Sequence, residues 1–171
     1  PILFFYVLKD VLLQSKLHPQ QVIRALLVGG VWVSLVGLIQ FVTHAGIPIP
    51  WDYERRITGV FDYTNALGLY LGPLAVLACV SALQQWNLLR KDAMIYLGCF
   101  ILFVLTIVLA QSEASLVALG ATVIIMSFFQ PRWRKKTLLI VAVLALLGFA
   151  LPITRSYLLE KITFQDASEQ I

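Results

Sequence analysis

The stretch 55-RRITGVFDYTNALGLYLGPLAVLA-78 opens on two arginines and closes as an unbroken apolar run. Two permanent cations, an Asp and an Asn stand at the mouth of a segment that only hydrocarbon would accommodate. Residues 63–89 contain no Asp, Glu, Lys or Arg, and about 20 mainly apolar residues suffice to cross the hydrocarbon core of a bilayer. A transmembrane helix near 64–84 is the first expectation, and the polar mouth before it is the first candidate site.

The pattern repeats outward from that stretch. Residues 25–51, 93–112, 114–131 and 137–154 are also free of charged side chains. Of 171 residues, 60% are hydrophobic and 13% charged, where a soluble domain carries about 25% charged. Mean hydropathy is +0.86. The sequence predicts an all-α, polytopic membrane helix bundle: five transmembrane helices near 24–43, 64–84, 93–111, 114–130 and 137–152, in a single membrane domain over 1–171. A soluble core of this make-up would need partners covering every face of five such helices. The opening run 1-PILFFYVL-8 is too short to cross. No basic leader precedes it and no small-residue cleavage site follows, so it reads as the end of a truncated N-terminal helix. The polar segment 153–171 reads as the start of a loop, and the chain as an internal fragment of a larger polytopic protein.

The basic residues alternate between loops. Lys9, Lys16, Arg24, Arg90, Lys91, Arg132, Arg134, Lys135 and Lys136 fall on one side of five alternating spans, and Arg55, Arg56, Arg155 and Lys161 on the other. Lysine and arginine collect in short cytoplasmic loops, so nine against four places the 44–63 loop, the 111–115 turn and the 153–171 tail outside. Trp51, Trp86 and Trp133 lie at expected boundaries, while Trp32 falls mid-span and reads as a core residue. The net charge of +4 is explained by these loops, so no nucleic-acid partner is expected. The 131–136 patch reads as an orientation signal resting on anionic membrane lipids.

Within the spans, Gly68 and Gly72, Gly30 and Ser34, and the ladder Ala114, Ala118 and Thr122 repeat small residues at helical spacing, which lets helices approach closely in lipid. Pro73 is expected to kink the second span. Cys79 and Cys99 fall inside spans and read as packing residues. With no C-x-x-C, no His cluster and no metal-ligand spacing in the sequence, neither a metal nor a cofactor is expected.

Three features share the outer face. The loop 44-HAGIPIPWDYERRITGVFDYTN-65 has Pro48 and Pro50 to hold an extended approach and Gly59 to permit a turn, with Asp62 or Thr64 as N-cap of the second span. Free N–H groups at a helix start form an anion site, and the arginine fork of Arg56 or Arg55 suits phosphate oxygens. The competing reading pairs both arginines with Asp52, Glu54 and Asp62 in their own loop. Asn65, just inside the span, is a buried amide that must find partners or a capping role. The turn 111-QSEAS-115 carries Glu113 at its apex, either keeping a hairpin tip wet or pairing with Arg55 or Arg56 across the mouth. His44 sits at the boundary and His18 inside. No nucleophile motif is present, so the catalytic residues stay unknown at this point.

These residues carry a resemblance. The string R-x-T-G-x-F-x-x-x-N-x-x-G, here Arg56, Thr58, Gly59, Phe61, Asn65 and Gly68, resembles the outer-loop signature of the bacterial O-antigen ligase and polymerase superfamily. The hairpin 105-LTIVLAQSEASLVALGA-121 is similar to that family's second landmark, a span ending in a polar turn around Ser112 and returning at once. The likeness runs from about residue 24 onward. It implies a multi-pass protein of the bacterial cytoplasmic (inner) membrane that moves a glycan from a polyprenyl-diphosphate carrier to lipid A-core, another glycan or a protein. It also implies metal-independent chemistry, arginines holding the diphosphate, and a catalytic histidine on an outer loop beyond residue 171. Where many members have Ser-Arg-Gly or Ser-Arg-Ala in the hairpin, this chain has Ser112, Glu113 and Ala114.

The alternative function is a transporter or flippase of polyprenyl-linked glycans, which would favour charges or broken helices at the bilayer midplane. The spans carry no charge at the midplane, and their polar residues gather at the outer ends. If Glu113 orients the arginines, Glu113→Gln lowers glycan transfer while membrane insertion, read by protease protection, stays unchanged. Full transfer by that variant removes the pairing.

Overall fold

The computed structural model describes Tyr6, Lys9, residues 18–85 and residues 91–129, excepting the side chains of Glu113 and of 127–129. Among the described residues there are four helices and no strand: α1 (Pro19–Thr43), α2 (Thr64–Gln84), α3 (Lys91–Leu109) and α4 (Glu113–Phe129). Helices α1, α2 and α3 are long and apolar enough to cross a membrane, and α4 is a shorter apolar helix of 17 residues. The chain is thus helical and of membrane-protein character. The expected span at 137–152, the 131–136 loop, the 153–171 tail, Trp86 and Trp133 lie outside the described residues, as does most of the opening run.

The second span begins and ends where the sequence put it, at Thr64 and Gln84. The first begins earlier than expected, at Pro19 rather than near 24. Proline at the first helical position forgoes an N–H that has no helical partner anyway, and the His18 N–H donates to Gln21 Oε1 at 3.2 Å. Arg24 therefore sits one turn inside the helix, and its long stem can carry the charge outward. The third span ends at Leu109, because Ala110 and Gln111 are given over to a turn.

Helix α2 is central. Over its most apolar stretch 56% of residues are buried, against 28% for α1 and 39% for α3. It packs against all three other helices. Leu67, Leu71, Ala75 and Ala78 of α2 and Phe100, Phe103 and Ile107 of α3 belong to one buried core, following the three-to-four-residue spacing of a helix face.

Close approach depends on particular glycines. A Cβ on Gly30 would stand 2.7 Å from Phe103 Cζ and 2.8 Å from Leu74 Cδ1, so α1 can lie on the α2–α3 pair only with hydrogen there. The two glycines of Gly68 and Gly72 separate in role. Gly68 abuts Ser112 and Ser115, whereas a Cβ at Gly72 would meet nothing within 4 Å. Gly72 and Pro73, which lies inside α2, border a crevice of about 210 Å³ between α2 and α4.

Trp32 corrects an expectation. It is not a core residue but is 66% exposed, on a face of α1 that also shows Val28, Leu35 and Ile39. An outward apolar face in lipid incurs no hydration cost, so mid-span position does not imply burial in protein.

Two ends of the bundle are defined by contacts. Arg24 near the start of α1 meets Asp92 at the start of α3, 3.4 Å away. The 44–63 loop meets the α3–α4 turn at the other end, through Arg56. The tight approach at Gly30 predicts that Gly30→Ala lowers stability by about 1–3 kcal/mol, as overpacking does. Gly72→Ala, made into open space, stays within about 0.5 kcal/mol or gains slightly from helix propensity. Thermal unfolding of the two variants in one detergent checks the contrast.

Candidate functional site at the loop end

The 44–63 loop reaches the bundle through a glutamine that sequence reasoning passed over. Gln40, in the last turn of α1, is buried. Its Nε2 donates to the carbonyls of Gly46 at 2.9 Å and Gly59 at 2.8 Å, and its Oε1 accepts the N–H groups of Thr58 at 3.2 Å and Gly59 at 2.7 Å. An uncharged amide inside an apolar span was the available signal, since such a group must find partners. His44 ends α1 in the left-handed conformation, with its N–H on Gln40 O at 2.8 Å, and its side chain is exposed. The extended approach expected from the prolines stops at Pro48, after which Ile49 to Arg55 form turns. Gly59 makes the expected turn, at φ 65°.

Arg56 is the hub of the site. Its Nε donates to Ala110 O at 3.3 Å, and its Nη2 donates to Gln111 O and to Thr64 Oγ1, both at 3.0 Å. Its Nη1 pairs with Glu54 Oε2 at 3.1 Å. The guanidinium lies over the Trp51 ring, 4.9 Å from its centroid, and Trp51 Nε1 is fixed on Asp62 O at 3.1 Å. Of the expected loop pairings, Glu54 with Arg56 forms. Asp52 and Asp62 contribute backbone carbonyls instead, Asp52 to the Arg55 N–H.

The carbonyls that Arg56 takes belong to the end of α3. Gln111 stands at φ 52°, with its N–H on Val108 O at 3.0 Å and the Ser112 N–H on Ile107 O at 3.5 Å. This is the paired closure in which glycine usually occupies the left-handed position. Arg56 takes the carbonyls of Ala110 and Gln111, which that closure leaves open, and positive charge at a helix C-terminus is favourable.

Ser112 then starts α4. It is fully buried, with its Oγ 2.9 Å from Ser115 Oγ and 3.2 Å from Asn65 Oδ1. A Cβ on Gly68 would lie 2.5 Å from Ser112 Oγ, so this knot of hydroxyls needs a bare backbone opposite. Asn65 is not buried as expected. It is exposed, with its carbonyl oxygen on Ser112 and its side chain lining a cavity. The N-cap of α2 is Tyr63, with no side-chain cap, rather than Asp62 or Thr64. Thr64 lies within the first turn, where its hydroxyl serves Arg56.

The cavity holds about 790 Å³, with Arg56, Asn65 and Gln111 around its polar part and Ala114, Val117 and Ala118 of α4 around its apolar part. Arg55 is not among its lining residues. It is exposed at φ 53°, and among the described residues its side chain has no partner. The expected pairing of Glu113 lies outside the described side chains. Among the described residues no three His, Cys, Asp or Glu side chains gather as a metal site would require. What the arrangement can do is hold an anionic or hydrogen-bonding head beside an apolar wall. Comparison with protein-family models, with curated proteins and with solved structures finds no match for this chain, so the site is read from its own geometry.

Because Gln40 answers four backbone groups, Gln40→Leu leaves them without partners at a cost of about 2–4 kcal/mol. The expected result is rapid amide exchange at Thr58 and Gly59 and early proteolysis within 46–59, with α1–α3 helicity retained. Unchanged exchange at those amides would dismiss the role.

Proposed function

We propose that this chain is the donor-binding part of an O-antigen ligase-like glycan transferase in a bacterial cytoplasmic membrane. In this reading there are five spans, with the 44–63 loop, the 111–115 turn and the 153–171 tail outside. The donor is a saccharide on a polyprenyl diphosphate, and the acceptor is lipid A-core, another glycan or a protein.

The observation that carries the reading is the meeting of two distant segments. The loop string from Arg56 to Gly68 and the hairpin around Ser112 are joined by Arg56 to Ala110 and Gln111, and by Ser112 to Asn65. Both border one cavity with a polar part and an apolar α4 wall, a division that matches a lipid diphosphate. The uncapped start of α2 adds N–H groups with the positive end of a helix dipole. In the transfer, the bond from the anomeric carbon to the diphosphate oxygen breaks as the acceptor hydroxyl oxygen bonds to that carbon. The acceptor proton passes to a base, assigned to a histidine beyond residue 171. The charge left on the diphosphate is met by Arg56 and the Asn65 amide, and stabilising charge where it develops is a large part of such catalysis.

The geometry separates the two arginines. Arg56 borders the cavity, while Arg55 stands clear of it. Glycan transfer in membranes falls at least about 100-fold for Arg56→Ala and about tenfold for Asn65→Ala, while Arg55→Ala transfers within about twofold of wild type. A protein in which Asn65→Ala and Arg56→Ala both transfer normally does not hold its donor here. For orientation, a cysteine at position 55 reacts with an impermeant maleimide added from the periplasmic side. Labelling only from the cytosol reverses the proposed topology.

A further inference from the structure

The opposite end of the bundle holds a second cavity, independent of the proposed transfer. It is an open-sided cleft of about 390 Å³ between α1 and α3, with Val28, Val31 and Ile95 on its apolar wall and Arg24, Asp92 and Tyr96 as its polar groups. That volume lies within the roughly 300–1,000 Å³ of small-molecule sites.

The polar groups are loosely engaged. Arg24 Nη2 stands 3.4 Å from Asp92 Oδ1, and Arg24 Nε donates to Tyr96 Oη at 3.5 Å, where charge-assisted bonds run about 2.7–2.9 Å. The two charged side chains are 56% and 52% exposed, and such surface pairs hold weakly. A cation and an anion are therefore both open to exchange at the edge of an apolar cleft. An acyl chain gains little by leaving lipid for an apolar protein wall, so the headgroup decides what binds.

We infer that this cleft binds a zwitterionic phospholipid with a primary amine, of the phosphatidylethanolamine type. Its phosphate meets Arg24 and the Tyr96 hydroxyl, its ammonium meets Asp92, and one acyl chain lies along Val28, Val31 and Ile95. The headgroup thereby reproduces both halves of the Arg24–Asp92 pair. An anionic headgroup would satisfy Arg24 but set a second negative charge against Asp92. Lys91 is exposed beside Asp92, so among the described residues two cations and one anion stand near the mouth, and a test has to separate zwitterionic from anionic lipid.

The purified protein is titrated in detergent with phosphatidylethanolamine, phosphatidylcholine and phosphatidylglycerol of identical acyl chains, and bound lipid is counted by native mass spectrometry. Phosphatidylethanolamine is expected to bind tightest. Asp92→Asn weakens it about tenfold, the effect of one charge-assisted contact, and leaves phosphatidylglycerol unchanged or tighter. Arg24→Gln weakens both, and Val31→Trp, which fills the cleft, weakens phosphatidylethanolamine. Equal binding of the three lipids by the wild type, preference for phosphatidylglycerol, or the absence of bound lipid overturns the assignment. So does an Asp92→Asn protein of unchanged lipid preference. The wild-type comparison decides the matter even where a variant does not fold.

Discussion

Backbone that leaves a helix at the edge of a membrane bundle has to bring partners for its own N–H and C=O groups, because hydrocarbon supplies none. In this chain that requirement falls first on Gln40. One side-chain amide supplies two donors and two acceptor positions, and Gln40 uses all four on Gly46, Thr58 and Gly59. The segment from Ile57 to Gly59 can then be buried. Ile57 enters the core beside Gly37, whose missing side chain leaves Ile57 Cδ1 only 3.2 Å from where a Cβ would be. With that segment seated, Arg56 has a fixed origin from which to reach the neighbouring turn.

The second constraint is the end of α3. A glutamine at φ 52° stands where glycine would be unstrained, and the carbonyls of Ala110 and Gln111 at that turn need donors. Arg56 meets both from a loop 54 and 55 residues earlier in the chain. The turn therefore depends on the loop, and the loop on Gln40. Ser112, emerging from that turn, fixes α4 through Ser115 and reaches α2 through Asn65. The bare backbone of Gly68 makes room for it. Local chemistry at Arg56, Ser112, Asn65 and Gly68 thus joins α2, α3 and α4 where they border the cavity.

Much of the fold was legible because apolar length is a one-dimensional signal. Uninterrupted apolar runs placed α2 to the residue, α3 and α4 to within two residues, and α1 to within five. The errors came where side-chain chemistry needs the third dimension. Trp32 was read as core because periodicity cannot distinguish a face against protein from one against lipid. Thr64 reads as a possible cap in the sequence, but the chain turns helical one residue earlier than that, so Tyr63 takes the N-cap and the Thr64 hydroxyl is turned to Arg56. Gln40 went unread because its partners are 6 to 19 residues away on a loop whose path was unknown. Of the adjacent arginines only Arg56 falls in the loop string, and nothing in the sequence shows that the turn from Trp51 to Arg56 carries it to the end of α3 while Arg55 stays exposed.

An arginine so fully occupied raises the question of how it could also serve an incoming anion. The answer lies in the character of its partners. Ala110 O, Gln111 O and Thr64 Oγ1 are neutral, so they orient the guanidinium without cancelling its charge. Only Glu54 is anionic, and its side chain is 53% exposed while that of Arg56 is 19% exposed. An exposed carboxylate in such a pair contributes little, roughly 0–1 kcal/mol. A phosphate oxygen can replace Glu54 on Nη1 at small cost while the three neutral bonds keep the fork in place. On the proposed function, Glu54 is the stand-in that keeps the cation paired until a donor arrives, and the neutral contacts spare the reorganisation that a free arginine would undergo on binding.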